Sequence, residues 1–274
     1  MSLRERTLHL LTKYGLEPDP SRDEQQLVDD EAVARLVASS GVEAGEVVVE
    51  VGPGLGNITE QLLRFSVRLV AVEKNPKYVP VLLGRFPGAT NLEIVVGDAL
   101  RMDYPAHDRF VSNLPYMISE AMLHRLSRLS FKKAALIVSE GFGGRVTAPM
   151  GAAGYTKLSY FSQLFYAASH VGTVPPEAYI PEPDTSTWII ALQPTEPEES
   201  SRLVMRRLLL QGDQLVKNAL REALIQTHLC ETKREARSKL VHLRGLDRVW
   251  EKSVSRLSLR ELLRLEEVLA LSVG

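Results

Sequence analysis

Val47-Val48-Val49-Glu50-Val51 is an almost wholly apolar run that breaks directly into Gly52-Pro53-Gly54-Leu55-Gly56-Asn57. A stretch so rich in β-branched side chains reads as a strand. Apolar on both faces, it needs cover on both, which is the situation of an interior strand in a parallel sheet wrapped by helices. The chain then repeats the theme. Short Val/Ile-rich runs at 69–73, 92–96, 110–113 and 134–138 alternate with stretches of helical period at 58–65, 78–85 and 119–129. That rhythm predicts successive βαβ units. Two later runs, 167–171 and 187–192, bring the expected sheet to about seven strands. The fold class is therefore α/β: a doubly wound, mostly parallel, Rossmann-like sheet.

The rhythm stops at Gln193-Pro194-Thr195-Glu196-Pro197-Glu198-Glu199-Ser200-Ser201, whose Pro, Glu and Ser mark a linker. Beyond it, apolar residues recur at i, i+3, i+4 over 202–210, 214–226, 234–240 and 259–272, and Ser258-x-x-Glu261 forms a capping box ahead of the last helix. Two domains follow: residues 1–195, built on the sheet, and residues 202–274, small and all-helical. Charge divides them too. Residues 200–274 carry 15 Lys+Arg against 9 Asp+Glu, a net of +6, and residues 1–199 carry 18 against 25, a net of −7. A basic helical appendage can rest on phosphates, although cations on helices also serve as plain solvated surface. Arg206, Arg207, Lys217, Arg221, Arg234, Arg237 and Lys239 are the candidate RNA contacts. One cysteine excludes a disulfide framework. The opening residues carry Arg4, Glu5, Arg6 and Lys13 without an apolar run, and no stretch approaches the length of a membrane span, so a cytoplasmic protein without membrane contact is expected.

The glycines at 52, 54 and 56 follow the first strand and open a helix, which places them at the carboxyl edge of the sheet, where open α/β sheets bind ligands. Their G-x-G-x-G spacing departs from the G-x-G-x-x-G of dinucleotide sites, and a plain tight turn would use the same residues. Glu73 and Asp98 each end a strand on that same edge. A carboxylate at 73 can accept from both hydroxyls of a ribose, and one at 98 from an adenine amine; each could equally cap a helix.

Asn113-Leu114-Pro115-Tyr116 follows the fourth strand on the ligand edge. An aromatic amine is a poor nucleophile because its lone pair is delocalised into the ring, so hydrogen-bond acceptors must position it. The Asn113 side-chain oxygen and the Leu114 carbonyl can each take one N–H and aim the lone pair at the methyl of a sulfonium donor. Pro115 fixes the chain direction, and Tyr116 offers a face for a flipped base.

Taken together and in order, these segments resemble the KsgA-like ribosomal RNA adenine dimethyltransferases. The resemblance spans nearly the whole chain. It begins at Leu10-Leu11-Thr12-Lys13-Tyr14-Gly15-Leu16 and Leu27-Val28-Asp29, continues through the motifs above and Gly97-Asp98-Ala99, and extends to Val174-Pro175-Pro176-Glu177-Ala178-Tyr179-Ile180-Pro181-Glu182-Pro183 and Val216-Lys217-Asn218-Ala219-Leu220. It implies S-adenosylmethionine as cofactor, contacted by Gln25, Leu27, Glu50, Gly52, Gly54, Gly56, Glu73, Lys74, Asp98, Ala99 and Asn113. It implies catalysis by Asn113, Leu114, Pro115 and Tyr116, with Tyr179 as a second stacking wall, and no metal. The implied activity is dimethylation of two neighbouring adenosines near the 3′ end of small-subunit rRNA, by a monomer acting on a pre-ribosomal small subunit.

The chain departs from the family at Glu24-Gln25-Gln26-Leu27, where relatives read Gln, Asn or His, Phe, Leu. It also departs at Pro18-Asp19-Pro20-Ser21-Arg22-Asp23, where they are typically basic, at Met117 in place of an amide, and at Ser139-Glu140-Gly141 in place of Gln-Lys-Glu. Three alternatives remain at this stage: an RNA-binding assembly factor with weak or lost catalysis, a large-subunit rRNA methyltransferase and a dinucleotide-dependent oxidoreductase.

Overall fold

A computed structural model describes residues 1–243, 246 and 248–273. Arg244, Gly245, Asp247 and Gly274, which fall within the expected range 202–274, lie outside the described residues. In chain order the elements are α1 (Leu3–Tyr14), β1 (Gln26–Leu27), α2 (Asp30–Ser40), β2 (Val47–Val51), α3 (Asn57–Leu63), β3 (Arg68–Glu73), α4 (Val79–Arg85), β4 (Leu92–Val96), β5 (Arg109–Asn113), α5 (Ser119–Leu126), β6 (Lys133–Ser139), α6 (Glu140–Thr147), α7 (Lys157–Phe165), β7 (Tyr166–Val174), β8 (Tyr179–Ile180), β9 (Thr187–Pro194), α8 (Ser200–Leu209), α9 (Val216–Gln226), α10 (Lys233–His242) and α11 (Leu259–Val273).

Seven strands form one sheet in the order β4-β3-β2-β5-β6-β9-β7. The pairs from β4 to β6 are parallel, and β9 runs antiparallel to β6. The chain starts in the middle at β2, winds outward through β3 and β4, then returns to β5 on the other side of β2. The strand order therefore reverses between β2 and β5, and their carboxyl ends frame the crevice in which such sheets bind ligands. β2 is apolar because it is interior: Val48 and Val49 are fully buried. One face of the sheet is covered by α2, whose Ala32, Val33, Leu36 and Val37 form the stripe that packs with Val48, Leu69, Val111, Ala135, Ile137 and Ile189. A separate two-stranded ladder pairs β1 with β8 antiparallel, Gln26 opposite Ile180 and Leu27 opposite Tyr179.

Two compact units divide the chain: Met1–Thr147 with Ala168–Pro194, and Ala148–Ala167 with the residues from Thr195 onward. Residues 148–167, expected with the sheet, group instead with the C-terminal helices. Seven of the nine residues of α7 are buried. Within that second unit Phe161 and Phe165 stack at 4.5 Å, Thr195 N donates to Phe165 O at 3.0 Å, and the Arg206 guanidinium lies 4.8 Å from the Phe165 ring. The Ser258–Glu261 capping box forms ahead of α11. No helix among the described residues is long and apolar enough to cross a membrane.

Candidate active site

A cavity of about 540 Å³ opens at the carboxyl ends of β2, β3 and β5. Three groups of residues line it: Ser21 to Leu27, the turn Val51 to Gly54, and the strand ends Glu73–Lys74, Gly97–Ala99 and Asn113. Its size is that of a small-molecule site.

The glycine turn works through its backbone. Gly52 and Gly54 have φ of 68° and 54°, the left-handed region that disfavours side chains. A Cβ on Gly54 would sit 2.5 Å from Gln26 Oε1. The turn is tied to the acid at the end of β3: Glu73 accepts from Gly54 N at 3.0 Å and from Asn75 N at 2.7 Å. Burial pushes the Glu73 carboxyl above the ordinary range, against these backbone bonds. Asp98 is held below its ordinary value, first by the Leu100 N–H and then by the Lys74 ammonium 3.2 Å away.

Asn113 sits at the last position of β5. Its Nδ2 donates to the Gln25 carbonyl at 3.3 Å. That carbonyl can only accept, so it fixes which end of the amide faces it and leaves Oδ1 as a free acceptor. Leu114 N completes the ladder to Ile137 O at 2.9 Å, while the Leu114 carbonyl, in a residue only 1 % exposed, takes no hydrogen bond among the described residues. A buried carbonyl without a partner is unusual. Two acceptors are thus open on adjacent residues.

Residues 19–27 close one side of the cavity, and the acids that depart from the family have structural partners. Asp19 caps the turn at Ser21, Asp23 accepts from Met117 N at 2.9 Å, and Glu24 accepts from Asn75 Nδ2 at 2.8 Å and Asp19 N at 3.0 Å. Gln26 takes Leu55 N at 3.0 Å and donates to Glu24 O at 2.8 Å. Asp23, Gln26 and Asn75 were not among the expected site residues. The departure of residues 24–26 from the family pattern was the available signal for Gln26.

Of the expected cofactor contacts, the structure brings Gln25, Leu27, Gly52, Gly54, Glu73, Lys74, Asp98, Ala99 and Asn113 to the cavity wall, together with Pro115. The other two, Glu50 and Gly56, lie elsewhere, as do Leu114 and Tyr179 of the expected catalytic residues. Glu50 is fully buried in β2 and bonded to Thr59 Oγ1 at 2.7 Å. Gly56 serves packing: a Cβ there would fall 2.7 Å from the Phe86 ring and 2.9 Å from Leu82. Tyr179, expected as a stacking wall, is 1 % exposed, with its hydroxyl 2.6 Å from Thr187 Oγ1. Its part in the site runs through the backbone, which pairs with Leu27. The Tyr116 ring is half-buried beside the wall, and its neighbours Pro115, Met117 and Ile118 line the cavity.

Among the expected RNA contacts, most cations in the second unit are engaged. Lys217 pairs with Glu251 at 2.6 Å, Arg221 with Glu222 at 3.2 Å, Lys239 donates to Leu229 O at 2.8 Å, and Arg206 binds the Thr195 carbonyl. Arg207, Arg234 and Arg237 are exposed.

A mostly parallel sheet with its order reversed at β2 and β5, an antiparallel β9 beside β6, a glycine turn at the reversal and an acid ending the next strand place the chain in the Rossmann-like fold class to which methyltransferases belong. The chain belongs to the ribosomal RNA adenine dimethylase family, whose sequence model matches residues 21–241. It is 38 % identical over 185 residues, 68 % of each chain, to a probable ribosomal RNA small subunit methyltransferase A of Methanosarcina mazei. It is 28 % identical over 265 residues, 95 % of each chain, to a protein of that name in Thermococcus sibiricus. The fold is also that of a dimethyladenosine transferase from Plasmodium falciparum, with TM-score 0.62 and 21 % identity over 86 % of this chain and 94 % of that one. The 23S rRNA methyltransferase ErmE gives TM-score 0.61 and 22 % identity over 89 % and 98 %. The family depends on S-adenosylmethionine. The cavity fits that cofactor: it has the volume, a glycine turn at Gly52 and Gly54 that puts backbone on the wall, and carboxylates at both strand ends.

Proposed function

We propose that this protein dimethylates the N6 amines of two adjacent adenosines near the 3′ end of small-subunit rRNA, acting as a cytoplasmic monomer on the assembling subunit. The observation that carries the reading is a pair of adjacent acceptors without hydrogen-bond partners among the described residues: Asn113 Oδ1, in a residue on the wall of a cofactor-sized cavity, and the carbonyl of the buried Leu114 that follows it. Glu73 would hold the ribose hydroxyls of S-adenosylmethionine, Asp98 its adenine amine, and the turn at Gly52 and Gly54 its backbone-facing edge. Bound there, the cofactor supplies a methyl group on positively charged sulfur.

The chain's own residues do the positioning. Asn113 and Leu114 accept the two N–H groups of the target amine and turn its lone pair toward the cavity. No side chain need act as base, because the proton of the methylated amine is acidic and leaves to water. After one transfer the amine keeps one N–H and needs one acceptor, so the same pair serves the second. The Tyr116 ring, beside the wall, takes the face of the flipped base. Arg207, Arg234 and Arg237 rest on phosphates.

Incubating the purified protein with methyl-labelled cofactor and small-subunit rRNA, followed by nuclease digestion, tests this. Label is expected in dimethyladenosine at two neighbouring positions. Label elsewhere, or none with cofactor bound, overturns the assignment.

A further inference from the structure

Asn113 of β5 is in register with Ile137 of β6, which faces Ile189 of β9; one step further toward the carboxyl edge Val138 faces Trp188. Two strand spacings separate β5 from β9, about 10 Å. Trp188 therefore stands on the same edge of the sheet as the open acceptors, displaced sideways by the distance of a near-neighbour nucleotide.

The setting of this indole is unusual. A Cβ on Gly143 of α6 would lie 3.1 Å from Trp188 Cε3 and 3.2 Å from its Cβ, and one on Gly144 would lie 4.0 Å from Cη2. Glycine weakens a helix interior, and α6 carries it at 141, 143 and 144. At 143 what it gains is contact between helix backbone and indole. Stacked on the indole is the His170 imidazole, with ring centroids 4.0 Å apart and 23° between planes. His170 is exposed. Neither of its ring nitrogens has a hydrogen-bond partner among the described residues. The strand that presents it, β7, has five exposed positions and no carboxylate, in a stretch of chain that is otherwise net acidic. An exposed ring seated on a held ring, with no acid beside it on its strand, suits the face of a nucleobase on a polyanionic strand.

We propose that the His170–Trp188 pair is a stacking platform for a base of the substrate RNA that flanks the target adenine. This rests on the reading of the cavity given above. The flanking base extends the stack of two rings and fixes the strand so that the target adenine alone turns into the cavity.

The test uses the full chain in a Trp250→Phe background, which leaves Trp188 as the single indole of the protein's two. A single-stranded oligoribonucleotide containing the target adenine is expected to quench Trp188 saturably, and the same strand abasic beside the adenine is expected to bind more weakly. His170→Ala should weaken RNA binding roughly 5- to 100-fold. It should also raise the RNA KM of methyl transfer by the same factor, with kcat within about twofold and calorimetric cofactor affinity unchanged. His170→Phe, which keeps a stacking ring, should restore binding. Unchanged RNA affinity and KM in His170→Ala overturn the proposal, as does equal binding of the abasic strand, or a docked protein aromatic in place of RNA. If the wild type moves no methyl group while RNA still quenches Trp188 in a His170-dependent way, the platform stands and the reading of the cavity falls.

Discussion

At the amino edge of the sheet, immediately before β2, Glu46 is gripped by three side-chain nitrogens, Arg109 Nε at 2.8 Å, Arg109 Nη2 at 2.9 Å and Lys132 Nζ at 2.9 Å, and by the Glu43 backbone N at 2.9 Å. Four residues on, toward the carboxyl edge, Glu50 has Thr59 on one oxygen and, among the described residues, no partner on the other. The same residue type therefore shifts in opposite directions. The Arg109 bonds, chiefly, hold Glu46 down to about 2, while burial pushes Glu50 up to about 8. One edge is closed by charges that satisfy one another. The other leaves acceptors unpaired among the described residues: the buried Glu50 oxygen, the buried Leu114 carbonyl and, in a residue on the cavity wall, Asn113 Oδ1. Stability and ligand chemistry thus sit at opposite ends of the same strands.

Substitutions at the two edges should separate cleanly. Asn113→Ala removes one of two acceptors that position the amine, and a lost preorganised contact of this kind costs about 10²- to 10³-fold in kcat. Thermal unfolding should be unaltered within a degree or two, because Asn113 gives only one bond to the scaffold. A variant that unfolds early but methylates normally would break the comparison. Glu46→Gln should do the reverse. Leaving Arg109 buried without its counter-charge costs about 3 kcal/mol by urea titration at neutral pH, with methyl transfer near the wild-type rate at a temperature where both are folded. Because the folded value lies below an ordinary 4.5, the Glu46 contribution is complete above that pH and is lost as pH falls toward about 2. The variant's stability should be flatter across that window.

The carboxyl edge was legible in the sequence and the amino edge was not. Strands of a helix-wrapped parallel sheet are rich in apolar residues, so 47–51, 69–73, 92–96, 110–113 and 134–138 announce β2 to β6 to within two residues of where each begins and ends. Residues that end such strands must lie on one edge, which is why Glu73, Asp98 and Asn113 could be grouped from position alone. Facing is harder. Glu50 and Tyr179 were expected at the ligand, yet the register of β2 and of the β1–β8 ladder buries both side chains. Helix α1 went unread, although Ser2 and Glu5 form a capping box at its start. The Glu46–Arg109–Lys132 cluster joins positions 63 and 86 apart, and no local pattern records such a pairing. Likewise, nothing near Lys217 in sequence shows that Glu251 takes its charge.

Gly54→Ala sharpens the comparison on the open edge with a smaller effect. At φ 54° an L side chain costs about 1–2 kcal/mol, and its Cβ meets Gln26 Oε1 at 2.5 Å. Cofactor affinity by calorimetry should fall about tenfold, the factor that about 1.4 kcal/mol represents. Adding Gln26→Ala should recover part of it by clearing the clash, while the cost of the dihedral remains. No recovery would mean that the turn's shape, and not the Gln26 contact, sets the affinity.

The smallest effect at neutral pH belongs to Glu50→Gln. With its carboxyl pushed up to about 8 by burial, Glu50 is protonated in the folded protein at pH 7, and glutamine is close in shape to that neutral acid. Stability should change by less than about 1 kcal/mol there, the scale of one rearranged hydrogen bond. The pH dependence should change more than the value. Between an ordinary 4.5 and about 8 the unfolded chain has released this proton and the folded chain still binds it, so wild-type stability falls as pH rises through that window. Glutamine has no proton to release, so urea titrations of the variant should show a shallower downward slope, with the share from the raised Glu73 carboxyl remaining, while keeping the acid limb to which Glu46 contributes. A variant that keeps the full slope would assign it to Glu73, and the contrast between the two ends of β2 would no longer rest on Glu50.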